Sequence, residues 1–274
     1  MFKNAVFSDI GTPENGAAIC INGVNIEVIC CKFINNCVTN RGGAIHFSNG
    51  IISISNSIFY KCYTTKNQDG IWGNGIFIDT KEANINQTST CLCGESPTLC
   101  GDSSIFIISC KTVLQNINAS KNYGTFGGGI ASFYTSLTGT KVSYLQGYDC
   151  VDAFELVTYI DFIKFENINF INTSDKNNVF WESNNNLIEC VSCLFWNIKF
   201  NVLSYGNLVI SLINCTSNMD TTPTVTKISS FNPNPIVINN RICQMNERFS
   251  FANQNCLIFN NFSFFVQLIF IITQ

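Results

Sequence analysis

The chain has 274 residues, a length that suits one elongated solenoid or at most two compact domains. Charged residues make up only 12% of it, and the net charge is −3 with Lys and Arg scattered singly. Nucleic-acid binding needs a basic stripe that neutralises phosphates, so the composition excludes that class of protein. A hydrophobic share of 46% excludes a disordered chain as well.

Asparagine is strongly over-represented, at roughly one residue in seven, against a much lower ordinary usage. Its side-chain amide both donates and accepts hydrogen bonds, and its backbone tolerates the left-handed conformation of tight turns. Asparagines stacked in register can therefore bond to one another as ladders. This composition favours a repetitive, stacked fold.

The N-terminal part of the chain repeats itself. Phe7, Phe33 and Phe59 follow one another at intervals of 26 residues, and Ile45 follows Ile19 at the same interval. Within each unit apolar residues alternate with polar ones, which is the pattern of short strands with one buried face. Asn-Gly pairs mark the turns between these strands.

Gly-x-x-Ile segments return with the repeat. They are Gly16-Ala17-Ala18-Ile19, Gly42-Gly43-Ala44-Ile45, Gly73-Asn74-Gly75-Ile76 and Gly127-Gly128-Gly129-Ile130. One such unit cannot bury its apolar face alone, whereas stacked units can. The sequence therefore predicts an all-β fold, a right-handed parallel β-helix (pectin-lyase-like solenoid) with coils of about 25–27 residues.

Two tetrapeptides carry a family resemblance. Gly42-Gly43-Ala44-Ile45 and Phe33-Ile34-Asn35-Asn36 resemble the paired GGAI and FxxN motifs of polymorphic outer membrane protein repeats, and the Asn- and Cys-rich style is similar to β-helix surface families of parasitic protists. The resemblance covers residues 1–80 and returns near 127–134. It implies a cell-surface β-helix implicated in adhesion. The coil at Phe59 departs from the motif, because Cys62 stands where the pattern has the asparagine of Asn36.

Residues 84–103 interrupt the repeat with a polar, Cys-rich stretch. We predict a loop inserted into one coil, since insertions in solenoids cluster on one face. A loop that has no hydrophobic core of its own needs cross-links such as disulfides. The hypothesis is that, in an oxidising compartment, Cys91, Cys93 and Cys100 form disulfides among themselves or with Cys110.

Residues 104–218 hold less regular coils, in which Phe195 follows Phe170 after 25 residues. The predicted solenoid therefore spans 1–218. Residues 219–256 contain Thr and Pro and are expected to leave it as an extended segment. The hydrophobic tail, 257–274, is either a truncated membrane anchor or a final strand or frayed end, because it is too interrupted for an ordinary membrane helix. The first residues lack the pattern of a signal peptide, so an exported protein would continue N-terminally.

Several residues are candidates for chemistry or modification. The Cys190-Val191-Ser192-Cys193 spacing would need further ligands to hold zinc, and His46 is the only histidine, so core thiols or a structural disulfide are the expected roles of the pair. The carboxylates near Asp149 lack the facing arrangement that glycoside hydrolysis needs. We assign no catalytic, cofactor or metal residue. Asn-x-Ser/Thr sequons occur at Asn86, Asn118, Asn172, Asn214 and Asn261.

The expected function is that of a non-enzymatic cell-surface or secreted β-helix, which presents a repetitive face for adhesion to a glycan or protein ligand. The aromatic residues Trp72, Tyr134, Tyr144 and Tyr148 are contact candidates wherever they are exposed. Association with a membrane would come from the C-terminal tail. Two alternatives stay open: a polysaccharide-processing enzyme of the pectin-lyase type, and a truncated paralogue without function of its own.

Overall fold

The computed structural model describes residues 1–65, 72–94, 102–108, 111–124, 128–134, 140–148, 150, 154–157, 162–172, 180–182, 187–196, 198, 202–204, 209–217, 227–228 and 231–232. These residues contain short strands and no helix. The strands are β1 (Phe2–Lys3), β2 (Val6–Ser8), β3 (Gly11–Thr12), β4 (Ile19–Asn22), β5 (Ile26–Ile29), β6 (Lys32–Ile34), β7 (Cys37–Val38), β8 (Ile45–Ser48), β9 (Ile51–Ser55), β10 (Ile58–Tyr60), β11 (Tyr63–Thr64), β12 (Ile76–Asp79), β13 (Glu82–Cys91), β14 (Ser103–Ile108), β15 (Lys111–Ser120), β16 (Gly128–Tyr134), β17 (Lys141–Tyr148), β18 (Phe154–Val157), β19 (Phe162–Ile171), β20 (Phe180–Glu182), β21 (Leu187–Val191), β22 (Leu194–Trp196), β23 (Val202–Ser204), β24 (Val209–Ile213), β25 (Cys215–Ser217), β26 (Lys227–Ile228) and β27 (Phe231–Asn232).

The described strands stack into three parallel sheets that wrap one interior. A long sheet of 16 strands runs through β1, β5, β9 and β13 to β26, with β2, β6 and β10 beside it. An eight-stranded sheet contains β4, β8, β12, β14 and β16, and a three-stranded sheet contains β3, β7 and β11. Each strand pairs with the equivalent strand one coil away. The predicted parallel β-helix is therefore confirmed.

The repeated phenylalanines form an interior column. Phe7 pairs with Phe33 and Phe33 with Phe59, and their rings stack at centroid distances of 5.0 and 4.6 Å with interplanar angles of 6°. Phe170 and Phe195 are in register further along and stack at 5.1 Å. Offset stacking of this kind adds to the free energy that ring burial provides.

Each coil bends at stacked positions where the backbone is left-handed. The first bend column of positive-φ residues comprises Asn4, Cys30, Asn56, Gln87, Asn116, Tyr144, Asn167, Ser192 and Asn214. Asparagine is frequent there because it tolerates this conformation better than most residues. Amides also bond between coils, as predicted: Asn116 Nδ2 donates to Asn86 Oδ1 at 2.9 Å, and Asn49 Nδ2 donates to Asn22 Oδ1 at 2.8 Å.

The Gly-x-x-Ile segments are explained by two close approaches. Gly42 has a φ of 65°, and a Cβ there would overlap the carbonyl oxygen of Ile45. Gly16 and Gly73 have positive φ values and meet the matching isoleucine oxygen in the same way. A Cβ at Gly43 would instead overlap the Asn74 carbonyl oxygen of the next coil. The first glycine is thus required by a turn and the second by coil stacking.

The structure differs from the predicted loop over 84–103. Strand β13 continues to Cys91, with Ala83 and Ile85 facing the core. Its polar residues include Thr88 and Thr90, which are fully buried, and Thr90 pairs with Phe59 of the interior column. Residues 95–101, with Cys100, lie outside the described part, as does Cys110.

The fourth Gly-x-x-Ile segment is displaced in register. Ala131, not Ile130, pairs with Ile105, because the register shifts at a bulge between Ser103 and Ile105. Gly127 is not among the described residues.

The stack continues beyond the predicted end at residue 218. Strand β26 pairs with β24, and β27 pairs with β25, both in parallel. Thr and Pro in this stretch favoured an extended exit, but short extended segments are also what another coil requires. The hydrophobic tail, 257–274, lies outside the described residues. Within the described part, no helix is long and apolar enough to span a membrane.

Replacing Gly42 with alanine tests the stacking argument. We expect Gly42→Ala to lower the free energy of unfolding by about 2–5 kcal/mol, because it combines a left-handed alanine with overlap against the Ile45 carbonyl. Gly23→Ala is the matched control, since Gly23 has a φ of 84° but open space around its Cβ position. It should cost only about 1–2 kcal/mol. Equal shifts of the urea midpoint in both variants would contradict the overlap argument.

Candidate functional site

The motif asparagine at Asn36 is a buried structural residue. Its Oδ1 accepts from the Ile10 amide at 3.1 Å and its Nδ2 donates to the Phe7 carbonyl at 3.0 Å. Asn122 repeats the arrangement three coils later, accepting from the Cys93 amide at 2.9 Å. Between them, the Cys62 thiol donates to the Phe33 carbonyl at 3.5 Å. The Cys62 thiol therefore supplies the hydrogen-bond donor that Nδ2 of Asn36 supplies one coil earlier. This explains why a cysteine stands at the asparagine position of the motif.

The cysteines predicted to staple a loop lie on opposite sides of a strand bend. Cys91 is in the outer column that contains Tyr60 and Ser120, and Ser120 Oγ contacts its sulfur at 3.3 Å. Cys93 is a buried thiol on the core side, after the left-handed residue Leu92. The bend therefore separates the two sulfurs, and they are not bonded to each other.

The Cys190–Cys193 pair belongs to the interior. Both are buried thiols, and Cys215 from the next coil lies against them, with its Sγ 3.3 Å from the Cys190 carbonyl oxygen. Contact with the Cys193 thiol, together with burial, raises the pKa of Cys215. No group of three or more His, Cys, Asp or Glu suited to a metal ion occurs among the described residues. Core packing is the role that the geometry gives these thiols.

One outer face of the long sheet is rich in hydroxyl and amide groups. Two adjacent columns on β9, β13, β15 and β17 contain six outward polar side chains, and we call this set the polar face: Ser53, Ser55, Asn84, Asn86, Gln115 and Ser143. The same columns also contain Val113 and the exposed Lys141. Inward neighbours such as Ile52 and Ile54 are fully buried, as strand alternation requires. Because neighbouring strands are about 4.8 Å apart, the face offers regularly spaced hydroxyl and amide groups.

An exposed tyrosine borders the polar face. Tyr144 occupies the first bend column directly after Ser143, and 41% of its surface is exposed. None of the described aromatic residues contacts its ring. Tyr148, further along the same strand, is half-buried. Of the sequence candidates, Tyr144 is therefore the one that combines an exposed ring with a polar surround.

A second outer feature lies on the eight-stranded sheet, and sequence reasoning missed it as a unit. His46, Phe77 and Phe106 are in register on the outside of consecutive strands. Trp72 stacks on Phe77 and Phe106, and Tyr134 packs against Phe106 with its ring tilted by 34°. Ring distances are 4.9 Å for His46–Phe77, 5.1 Å for Trp72–Phe106 and 4.6 Å for Phe106–Tyr134. We call these five residues and Arg41 the aromatic ridge.

The ridge residues occupy fixed positions of the sequence repeat. Arg41 and Trp72 each precede the first glycine of a Gly-x-x-Ile segment, and His46 and Phe77 each follow its isoleucine. Two columns of the solenoid therefore meet there. Phe77 and Phe106 face outward and yet are only 1% and 0% exposed. The ridge thus forms an apolar layer outside the core.

Arg41 is held over this layer. Its guanidinium carbon lies 4.1 Å from the Trp72 ring centroid and 5.2 Å from that of Phe77, within the range of cation–π attraction. Burial lowers the pKa of Arg41, and the nearby Asp79 carboxylate acts in the opposite direction. The pKa of His46 is lowered by burial first and by the Arg41 charge second. His46 is therefore neutral at pH 7, and Arg41 is the cation of the ridge.

The five sequons differ in exposure. Asn214 is exposed, Asn86 and Asn172 are half-buried, and Asn118 is only 5% exposed. Asn261 lies outside the described residues. A glycan cannot be accommodated on a buried amide without displacing its neighbours. The folded chain therefore ranks Asn214 first and Asn118 last as acceptors.

Comparison with protein-family models, with curated proteins and with solved structures finds no significant match to this chain. The resemblance to polymorphic outer membrane protein repeats therefore rests on the repeat residues themselves. The structure gives those residues stacking roles in a parallel β-solenoid. Function has to be argued from the outer faces.

Thiol reactivity should separate exposed from stacked cysteines. Burial raises the pKa of Cys62 to about 12, so at pH 8 about one thiol in ten thousand is the reactive thiolate. We expect iodoacetamide to label exposed Cys20 in the native protein and to spare Cys62 and Cys93 until denaturant is added. Mass spectrometry of the labelled peptides measures this. Native labelling of Cys62 as fast as Cys20 would contradict the buried column.

The pKa of Cys62 in the folded protein exceeds the ordinary value of 9.0. The contribution of Cys62 to the free energy of unfolding is therefore complete below pH 9 and falls as the pH rises towards 12.

Proposed function

We propose that this protein is a non-enzymatic β-helix of the cell surface or secreted fraction, which presents a repetitive face for adhesion to glycans or proteins. The observation that carries the proposal is the polar face bordered by Tyr144. Its six hydroxyl and amide side chains can each donate and accept hydrogen bonds. An exposed aromatic ring beside such groups suits ligands that have one apolar and one polar side.

The hydroxyl and amide groups of the polar face support a glycan ligand in particular. Sugar hydroxyls are neutral donors and acceptors, and amide and hydroxyl side chains match them without the desolvation cost of a buried charge. Four consecutive strands supply the groups at a regular spacing, so many individually weak bonds can add up along an extended ligand. The resemblance of the repeat to adhesion-associated surface families is consistent with this use.

No described residue arrangement favours the enzymatic alternative. Glycosidases need two facing carboxylates, whereas Glu166 forms an ion pair with Lys164 at 3.7 Å on the outer face. Asp149, Asp152 and Asp161 lie outside the described residues.

Removal of the Tyr144 ring tests the polar face. We expect Tyr144→Asn to reduce binding on a glycan array by roughly tenfold, because the aromatic contact is lost. The fold should be retained, since Asn116 and Asn167 occupy the same bend column. Val24→Asn is the control, because it removes another exposed apolar side chain, 54% exposed, that is not part of the polar face. Equal binding by wild type and Tyr144→Asn would contradict the role of this face.

Protease shaving of intact source cells tests the location. We expect released peptides of this chain, with glycan on Asn214 and none on Asn118, because only the former amide is exposed. Tandem mass spectrometry after glycosidase treatment in heavy water identifies the modified asparagines. Recovery of unglycosylated peptides only after cell lysis would overturn the surface assignment.

A further inference from the structure

Arg41, the cation of the aromatic ridge, has no ion-pair partner among the described residues. Among the described residues the ion pair within 4.0 Å is Lys164–Glu166, and neither Arg41 nor Asp79 takes part in one. The Nε of Arg41 is buried and has no hydrogen-bond acceptor within the described part of the chain. A buried donor without an acceptor is uncommon in folded proteins.

The position of Arg41 is fixed by contacts other than ion pairs. Trp72 and Phe77 support the plane of the guanidinium, and the Arg41 amide is bonded to Asn15 Oδ1 at 3.2 Å. An arginine held flat against aromatic rings loses little further side-chain entropy when it binds. Its planar fork matches the two oxygens of a carboxylate.

The surrounding charges limit the ligand. Asp79 is close enough to act on Arg41 electrostatically, so the site as a whole is close to neutral. A dianionic phosphate or a run of acidic residues would be repelled by Asp79, whereas a single carboxylate would gain more from the fork than it loses. Neutral His46 and half-exposed Trp72 add a polar and an apolar contact at the same place.

We propose that Arg41 binds the carboxylate of an acidic sugar, of the uronic or sialic acid type, within a glycan ligand. The inference rests on the proposed glycan-binding function and names the chemistry of one recognised residue. The ring faces of Phe77 and Phe106 are already stacked, so the sugar would lie across the half-exposed edge of Trp72 with its carboxylate on the Arg41 fork. Arg41 is then a specificity determinant on a different sheet from the polar face.

The test uses a matched pair of ligands and the full chain. Isothermal titration compares a short oligosaccharide that ends in one uronic acid with the same oligosaccharide after reduction of that carboxyl to the alcohol. We expect the acidic form to bind roughly tenfold to a hundredfold more tightly, as a charged bidentate hydrogen bond implies. Arg41→Gln should abolish the difference between the two ligands.

Two further variants distinguish a loss of ligand contacts from a loss of protein stability. Arg41→Lys keeps a cation over the rings but loses the fork, so it should preserve the urea midpoint and lose most of the preference for the acidic sugar. Lys61→Gln is the control, because Lys61 also lies over an aromatic ring, at 5.3 Å from Tyr60, and should leave both affinities unchanged.

The outcomes separate this inference from the proposed function. Equal binding of the acidic and reduced oligosaccharides would overturn the role of Arg41 while leaving glycan binding intact. Equally tight, Arg41-dependent binding of a glutamate-rich peptide would overturn the assignment to a sugar. Absence of binding to both oligosaccharides and to every glycan on the array would overturn the proposed function together with the inference.

Discussion

The structure depends on one geometric constraint: each coil must place its bends and its inward side chains over those of the coil before it. Parallel strands bond to their neighbours at about 4.8 Å, and a coil that fell out of register would turn its apolar residues outward. The constraint applies to every pair of neighbouring coils. It explains why the same residue types return at the same points of the repeat although coil lengths change.

Columns rather than single contacts therefore hold the fold together. The stacked phenylalanines, the left-handed bends and the buried corner of Asn36, Cys62, Cys93 and Asn122 are three such columns. Within a column, substitutions are tolerated when the new side chain repeats part of the old function. Cys62 does so by donating to a carbonyl of the previous coil, as Asn36 does. A solenoid is stable in proportion to how many neighbouring coils keep such contacts.

The same repetition shapes the outer faces, which differ from one another. On the long sheet it produces the polar face, where hydroxyl and amide groups are stacked in two columns. On the eight-stranded sheet it produces the aromatic ridge, where most ring faces are covered by a neighbouring ring. The ridge consequently stabilises the outside of the coil.

The sequence by itself determined the fold class, the 26-residue register of the first coils and the interior phenylalanine column, because repeated residues at a fixed spacing can be buried in only one way. It also indicated register between Phe170 and Phe195. Tertiary structure alone decided that 84–91 is a strand, that Ala131 replaces Ile130 in its column and that Cys91 and Cys93 lie on opposite sides. Strand bends and bulges depend on the neighbouring coil, which local composition does not encode. The aromatic ridge was likewise decided by folding, since residues 41, 46, 72, 77 and 106 come together only when adjacent coils stack.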